Sequence, residues 1–251
     1  MVLALGIAGL LGYYVYNNLV TAETQITSSD AADIKQTLHI GMDSWVGYFP
    51  LCSPNLKRRM HSTGVLVRCH DDSANLDERM RKLKKGQLQF AVSTVDAYLT
   101  TGKDHNYPGT IVAVVDESKG GDAILVRSDK ISSLDDLKIR PVKVALTKDS
   151  PSDFFLQAVA VHFDLDRFKQ RGKWLVPADG ADASLKALQS GKADVAVLWE
   201  PAVSRGLKSS KIKKLLSTAD TQRLVVDVLL VQREFLLEQE ETVKLLLANY
   251  Y

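Results

Sequence analysis

The chain has 251 residues, 45% hydrophobic and 25% charged, with 32 Lys and Arg against 30 Asp and Glu for a formal net charge of +2. That length suits one large or two small domains. So even a balance gives no strong field for nucleic acid or an anionic membrane surface. The basic runs Lys57-Arg58-Arg59 and Lys211 to Lys214 have no interleaved aromatics and read as solvated helix faces. The histidines His39, His61, His70, His105 and His162 are scattered, and Cys52 and Cys69 form no CxxC or Cys/His cluster. No metal site and no cofactor is expected.

Residues 1–20 read as a transmembrane anchor. Val2 to Tyr16 carries no charge, and Tyr13, Tyr14 and Tyr16 cluster toward one end as interfacial aromatics do. Val20-Thr21-Ala22 leaves a cleavable signal peptide as the alternative. Residues 21–36, rich in Thr, Ser, Ala and Asp, read as a linker. The rest is expected on the periplasmic or cell-surface side, where the pair Cys52 and Cys69 is a disulfide candidate.

Strands are expected at 37–41, 65–69, 88–92, 111–115 and 123–127, with helices near 52–60 and 76–86. A second run of strands follows at 142–146, 173–176 and 194–198, with helices opened by Ser150-Pro151 and by Asp182. A polar, lysine-rich region comes after Pro201, then a strand at 224–231 and a helical stretch from 233 to 251. Alternating strands and helices imply a mostly parallel sheet in each of two lobes: 37–121, then 122–223, with 224–251 returning to the first. The helical pattern still running at Tyr251 reads as a fragment of a longer protein.

One phrase occurs twice. Arg79 to Gly86 followed by Phe90-Ala-Val-Ser-Thr94 matches Ser184 to Gly191 followed by Val195-Ala-Val-Leu-Trp199. Both read as a helix, a glycine stop and a short buried strand. Two lobes built alike would aim Thr94 and Trp199 at one cleft, since open α/β sheets bind ligands beyond the carboxyl ends of their strands. Helix–glycine–strand also recurs by chance in α/β proteins.

The chain resembles the solute-binding proteins of ABC importers, of the nitrate, sulfonate, taurine and thiamine-precursor type. The resemblance rests on Asp43-Ser-Trp-Val-Gly-Tyr48, Gly86 to Thr94, Asp116 to Gly121, Ser150-Pro-Ser-Asp153 and Gly191 to Pro201. It implies two α/β lobes of the type II periplasmic binding fold, joined by two crossovers and closing on a small molecule. Members of that family continue beyond the position of Tyr251, and the leading segment here has no lipobox cysteine.

Candidate ligand-binding residues follow from strand exits. Ser44 and Trp45 lie near a helix start whose free N–H groups suit an anion; the indole suits a planar or cationic group, or simply packs the lobe. Tyr48 adjoins them. Ser93 and Thr94 hydrogen-bond a ligand or cap the next helix. Asp116 precedes the hinge pair Gly120 and Gly121, where it also serves as a turn former. Ser150 and Ser152 begin a helix and suit a sulfonate, phosphonate or carboxylate, while Asp153 takes up the positive helix end itself. Trp199 and Glu200 close the second repeat. A carboxylate there asks for an amino group on the ligand, or makes a lobe–lobe salt bridge. With three carboxylates near the cleft, a zwitterion or an amino-bearing heterocycle fits better than a pure anion.

No nucleophile has a base beside it, so binding rather than catalysis is expected. The reading taken is extracytoplasmic capture of a small polar organic solute for the membrane permease of an ABC importer. The alternatives are a membrane-anchored sensor and a pyrimidine-precursor enzyme on the same fold.

Overall fold

Two five-stranded sheets organise the computed structural model, which describes residues 33–251. The expected anchor at 1–20, and most of the linker at 21–36, lie outside the described residues. Among the described residues no helix is long and apolar enough to cross a membrane.

Lobe 1 contains β1 (Gln36–Met42), β2 (Val65–Asp71), β3 (Phe90–Thr94), β4 (Gly109–Glu117) and β10 (Val226–Gln232), ordered β2-β1-β3-β10-β4. Lobe 2 contains β5 (Asp122–Arg127), β6 (Val144–Leu146), β7 (Leu175–Pro177), β8 (Val195–Trp199) and β9 (Ile212–Ser217), ordered β7-β6-β8-β5-β9. The two orders are the same pattern. In each, three strands run parallel, and the fourth is antiparallel to both neighbours. Four of the five strands in each sheet therefore share a direction, as expected of a mostly parallel sheet, and one runs against them. The cause is the crossing chain: β5 enters lobe 2 from β4, and β10 enters lobe 1 from β9, each against the local direction.

The helices follow from local signals. In lobe 1, α1 (Pro54–Ser62) is capped by the Ser53 hydroxyl accepting from Leu56 N–H, with Pro54 at its first position. Asn75 caps α2 (Leu76–Lys84) and Thr94 caps α3 (Val95–Thr101) in the same way. In lobe 2, α4 (Leu134–Ile139) begins with a Ser133/Asp136 capping box. Ser150 precedes α5 (Pro151–His162), but its hydroxyl donates to the Thr147 carbonyl at 2.6 Å instead of capping.

The repeated phrase is a repeated structure. Helix α2 leads into β3, and α6 (Gly180–Gln189) leads into β8. Gly86 and Gly191 follow those helices with φ of +68° and +76°, a left-handed turn that other residues take only with strain. All five residues of β3 and of β8 are buried, as short strands covered on both faces require.

The lysine-rich region after Pro201 holds α7 (Ala202–Leu207) and β9, so the run Lys211 to Lys214, expected on a helix face, leads into and lies in an edge strand instead. Strand β9 is an edge strand with Lys213 and Lys214 in it, a common way to blunt an edge. The final helical stretch breaks at Gln239 into α8 (Arg233–Glu238) and α9 (Glu240–Tyr250). One apolar cluster joins Leu38, Ile40 and Phe90 of lobe 1 to Leu125, Ala196 and Leu198 of lobe 2. A second, around Phe155, Phe168 and Trp174, fills lobe 2. Cys52 and Cys69 form a disulfide with 6.2 Å between their α-carbons, tying the 3-10 segment Val46–Cys52 to β2.

Candidate functional site

The strand ends of both sheets meet at one hollow. Thr94 at the end of β3 and Trp199 at the end of β8 both line it. Asp43, Trp45, Tyr48, Ala74, Leu76 and Ser93 complete the lobe 1 wall, with Val225 and Asp227 from the returning chain. Asp122, Ser150 and Pro151 complete the lobe 2 wall. The hollow is about 20 Å³, enough for roughly one water molecule. Anything larger requires the lobes to part.

Both crossovers sit beside this hollow and are tied together. The Ser118 and Thr218 hydroxyls are 2.8 Å apart, Gly120 N–H donates to Thr218 Oγ1 at 2.8 Å, and Ser118 N–H donates to the Val225 carbonyl at 3.0 Å. Trp45 lies across this crossing. A Cβ on Gly121 would come within 2.1 Å of the Trp45 ring. Only a residue with no side chain lets the indole lie there.

The polar lining is acidic. Asp43 Oδ1 accepts from Trp45 N–H at 3.0 Å, and its Oδ2 accepts from Arg79 at 3.0 Å. Arg79 is wholly buried behind the wall. It also donates to both Asp72 oxygens, at 2.7 and 2.6 Å, and to the Val92 carbonyl at 2.8 Å. Burial opposes its charge, but the Asp72 and Asp43 carboxylates more than offset that and hold the guanidinium protonated. Gly41 makes room for it, since a Cβ there would sit 3.2 Å from Arg79 Cγ and 2.6 Å from Leu88 Cδ1.

Asp227 accepts from the buried Tyr48 hydroxyl at 2.5 Å. Burial pushes the Asp227 carboxyl well above the usual carboxylate range; the Tyr48 bond opposes this, and Asp122, Asp43 and Asp116 add to it. Burial likewise pushes Asp122 up to about 7, against its Ser118 hydrogen bond and with Asp96, Asp43 and Asp116 reinforcing. Asp96, at the start of α3, rises to about 6, chiefly through burial. The indole N–H groups of Trp45 and Trp199 are buried without a hydrogen-bond partner.

Of the residues singled out from the sequence, Trp45, Tyr48, Ser93, Thr94, Ser150 and Trp199 come together in the lining. Ser44 is exposed and outside it. Ser152 is wholly buried outside it, with no partner for its hydroxyl. Asp116 Oδ2 and Trp45 Nε1 both lie beside Gly47, and Asp116 Oδ1 accepts from Glu117 N–H at 2.8 Å. Glu200 spends its carboxylate on Ser204, accepting from N–H at 2.9 Å and from the hydroxyl at 2.7 Å, so it starts α7 instead of facing the hollow. It makes no lobe–lobe salt bridge; the Glu200–Pro201 bond beyond it is cis. Asp153 is held by Arg171 and by Asp149 N–H.

Sequence reasoning missed Asp122, Asp227 and Arg79, and passed over Asp43 within its own motif. The signals were present: Asp227 is a lone carboxylate in the apolar run Leu224 to Val231, and Asp122 opens the apolar run Ala123 to Val126.

Two lobes of like topology, two crossovers and a hollow at the strand ends define the periplasmic-binding-protein fold of type II. The chain is similar in structure to the periplasmic aliphatic sulphonate binding protein SsuA from Escherichia coli, with TM-score 0.68 and 21% identity over 86% of this chain and 71% of that one. It is similar to the alkanesulfonate-binding protein SsuA from Xanthomonas axonopodis pv. citri bound to MOPS, with TM-score 0.70 and 18% identity over 88% and 73%. It is also similar to an ancestral arginine-binding protein bound to arginine, with TM-score 0.60 and 16% identity over 86% and 92%. No protein-family model matches the chain, and no curated protein matches it.

Proposed function

We propose that the chain captures a small polar organic solute outside the cytoplasm and presents it to the membrane permease of an ABC importer. The observation that carries this reading is the convergence of Thr94 and Trp199, the ends of twin strands, on one hollow between lobes joined by two crossovers. Such a joint lets the lobes move as bodies and part around the hollow. The disulfide suits an oxidising compartment, and the uncharged stretch at 2–20 supplies a membrane anchor. The similar structures include two sulfonate-binding proteins and an arginine-binding protein, whose ligands are all small and polar. No covalent chemistry is assigned to the site: its polar groups are carboxyls, hydroxyls and indole N–H groups with no base poised on a nucleophile.

Small-angle scattering of the full chain tests the reading. Addition of a pool of polar metabolites should shrink the radius of gyration, and Trp199→Ala should abolish the change. A radius that no pool alters would overturn it.

A further inference from the structure

We infer that the hollow is built for a small organic cation that also carries a hydrogen-bond acceptor. Its protonated nitrogen is received by Asp122 and Asp227, and its acceptor by the indole N–H of Trp199. This rests on the solute-binding reading and narrows it to a ligand class.

The charge inventory comes first. Among the described residues, three carboxyls line the hollow and no Lys, Arg or His does. Arg79, just behind, is fully engaged with Asp72, Asp43 and the Val92 carbonyl. One guanidinium thus faces two carboxylates and has nothing left for Asp122 or Asp227. Buried carboxylates need donors or counter-charge, and each offers about four acceptor positions. Asp227 has the Tyr48 hydroxyl and Asp122 has Ser118, which leaves both with unused acceptor capacity. An ammonium, amidinium or guanidinium supplies what is missing.

The second observation is independent of the acids. Trp199 is 5% exposed, lines the same hollow, and buries an N–H donor that bonds to nothing; the Trp45 N–H is turned to Gly47 and Asp116 instead. A buried indole N–H ordinarily has a partner. An orphan donor beside two under-occupied carboxyls describes a guest with donors at one end and an acceptor at the other. The indole faces add affinity for a cation.

A sulfonate would satisfy the Trp199 indole but would bring a fixed negative charge against Asp43, Asp122 and Asp227 in a poorly hydrated space, where like charges repel most. The raised proton affinities of Asp122 and Asp227 fit the same picture: without a neighbouring cation the carboxyls hold protons. The group that displaces those protons is the ligand's own charge.

The test is thermal shift of the full chain at pH 8 with two sets of probes. One set is agmatine, arginine, putrescine and choline; the other is taurine, ethanesulfonate and MOPS. The uncharged carbon isostere of choline is the control for shape. At a hundredfold excess over Kd, at least one cation should raise Tm by about 5 °C or more. Asp122→Asn, which keeps volume and removes charge, should weaken that ligand tenfold or more. Trp199→Phe, which keeps a ring and removes the N–H, should weaken arginine more than putrescine. Should Asp122→Asn fail to fold, Asp227→Asn takes its place. A shift with a sulfonate alone, unchanged in Asp122→Asn, overturns the cation inference and leaves solute binding standing. A shift with neither set overturns both.

Discussion

At the place in lobe 1 where α2 passes behind β1, the buried residue is Arg79; at the matched place in lobe 2 it is Ser184. Each stands seven residues before its glycine (86 − 79 = 191 − 184 = 7), and each is 0% exposed. The sheet registers extend the match. Gly41 faces Ala91 as Ala145 faces Ala196, so Asp43 corresponds to Thr147, two residues further along each strand. Lobe 1 therefore joins helix to strand end through an ion pair. Lobe 2 makes the same turn with neutral groups: Ser184 donates to the Gly180 carbonyl at 3.3 Å, and Gly180 N–H donates to Thr147 Oγ1 at 3.1 Å. One scaffold accepts either solution, so the charge in lobe 1 is not needed to form the fold. What it does is tether Asp43 at the cleft wall, through the Arg79 bond at 3.0 Å.

The sharpest way to break the comparison is Arg79→Ser, which gives lobe 1 the residue of lobe 2. It strands Asp43 and Asp72 without a counter-charge and should cost about 3–5 kcal/mol in denaturant unfolding. A loss under about 1 kcal/mol would mean the two braces are equivalent.

Next comes pH. The Asp122 carboxyl is held at about 7 in the folded chain against an ordinary value of 3.8. Below about 4 both states hold the proton and its contribution is complete. Between about 4 and 7 the unfolded chain has lost the proton that the folded chain keeps, so stability falls as pH rises, by up to about 4 kcal/mol. Above 7 the loss is finished. Asp227 pushes the same way. Melting curves from pH 4 to 8 should fall more steeply for the wild-type chain than for Asp122→Asn; parallel curves would refute the assignment.

A smaller effect separates the lobes by covalent chemistry. Both cysteines lie in lobe 1. Reducing a bridge that spans 17 positions should cost about 3 kcal/mol in the loop-entropy model. Hydrogen exchange should rise first near 46–71 and last in lobe 2. The smallest effect is Thr94→Ala, which removes the α3 cap and should cost about 1 kcal/mol.

Much of this was legible because burial writes a strong pattern. The short apolar strands and their preceding glycines exposed the repeat, and the repeat placed Thr94 and Trp199 at one hollow. Edge strand β9 was not legible, because only part of it is covered and its lysines broke the alternation. The fourth-strand direction was not legible either, since it depends on where the chain crosses, not on any residue within the strand. Glu200 misled for a local reason: a serine four residues on captures its carboxylate. Asp122 and Asp227 escaped because a lone acid in an apolar run reads as a strand boundary until a three-dimensional neighbourhood shows what surrounds it.

Strands β5 to β9 lie together in one uninterrupted span, 122–217, whereas the other sheet takes four strands from before that span and one, β10, from after it. A chain emerging amino end first can thus finish its second half while β3 and β4 of the first still wait for the strand that belongs between them. Those waiting edges are open to mispairing until residue 232 arrives. Assembly of the half that carries Asp43, Asp227 and the disulfide is therefore the late, exposed step in folding.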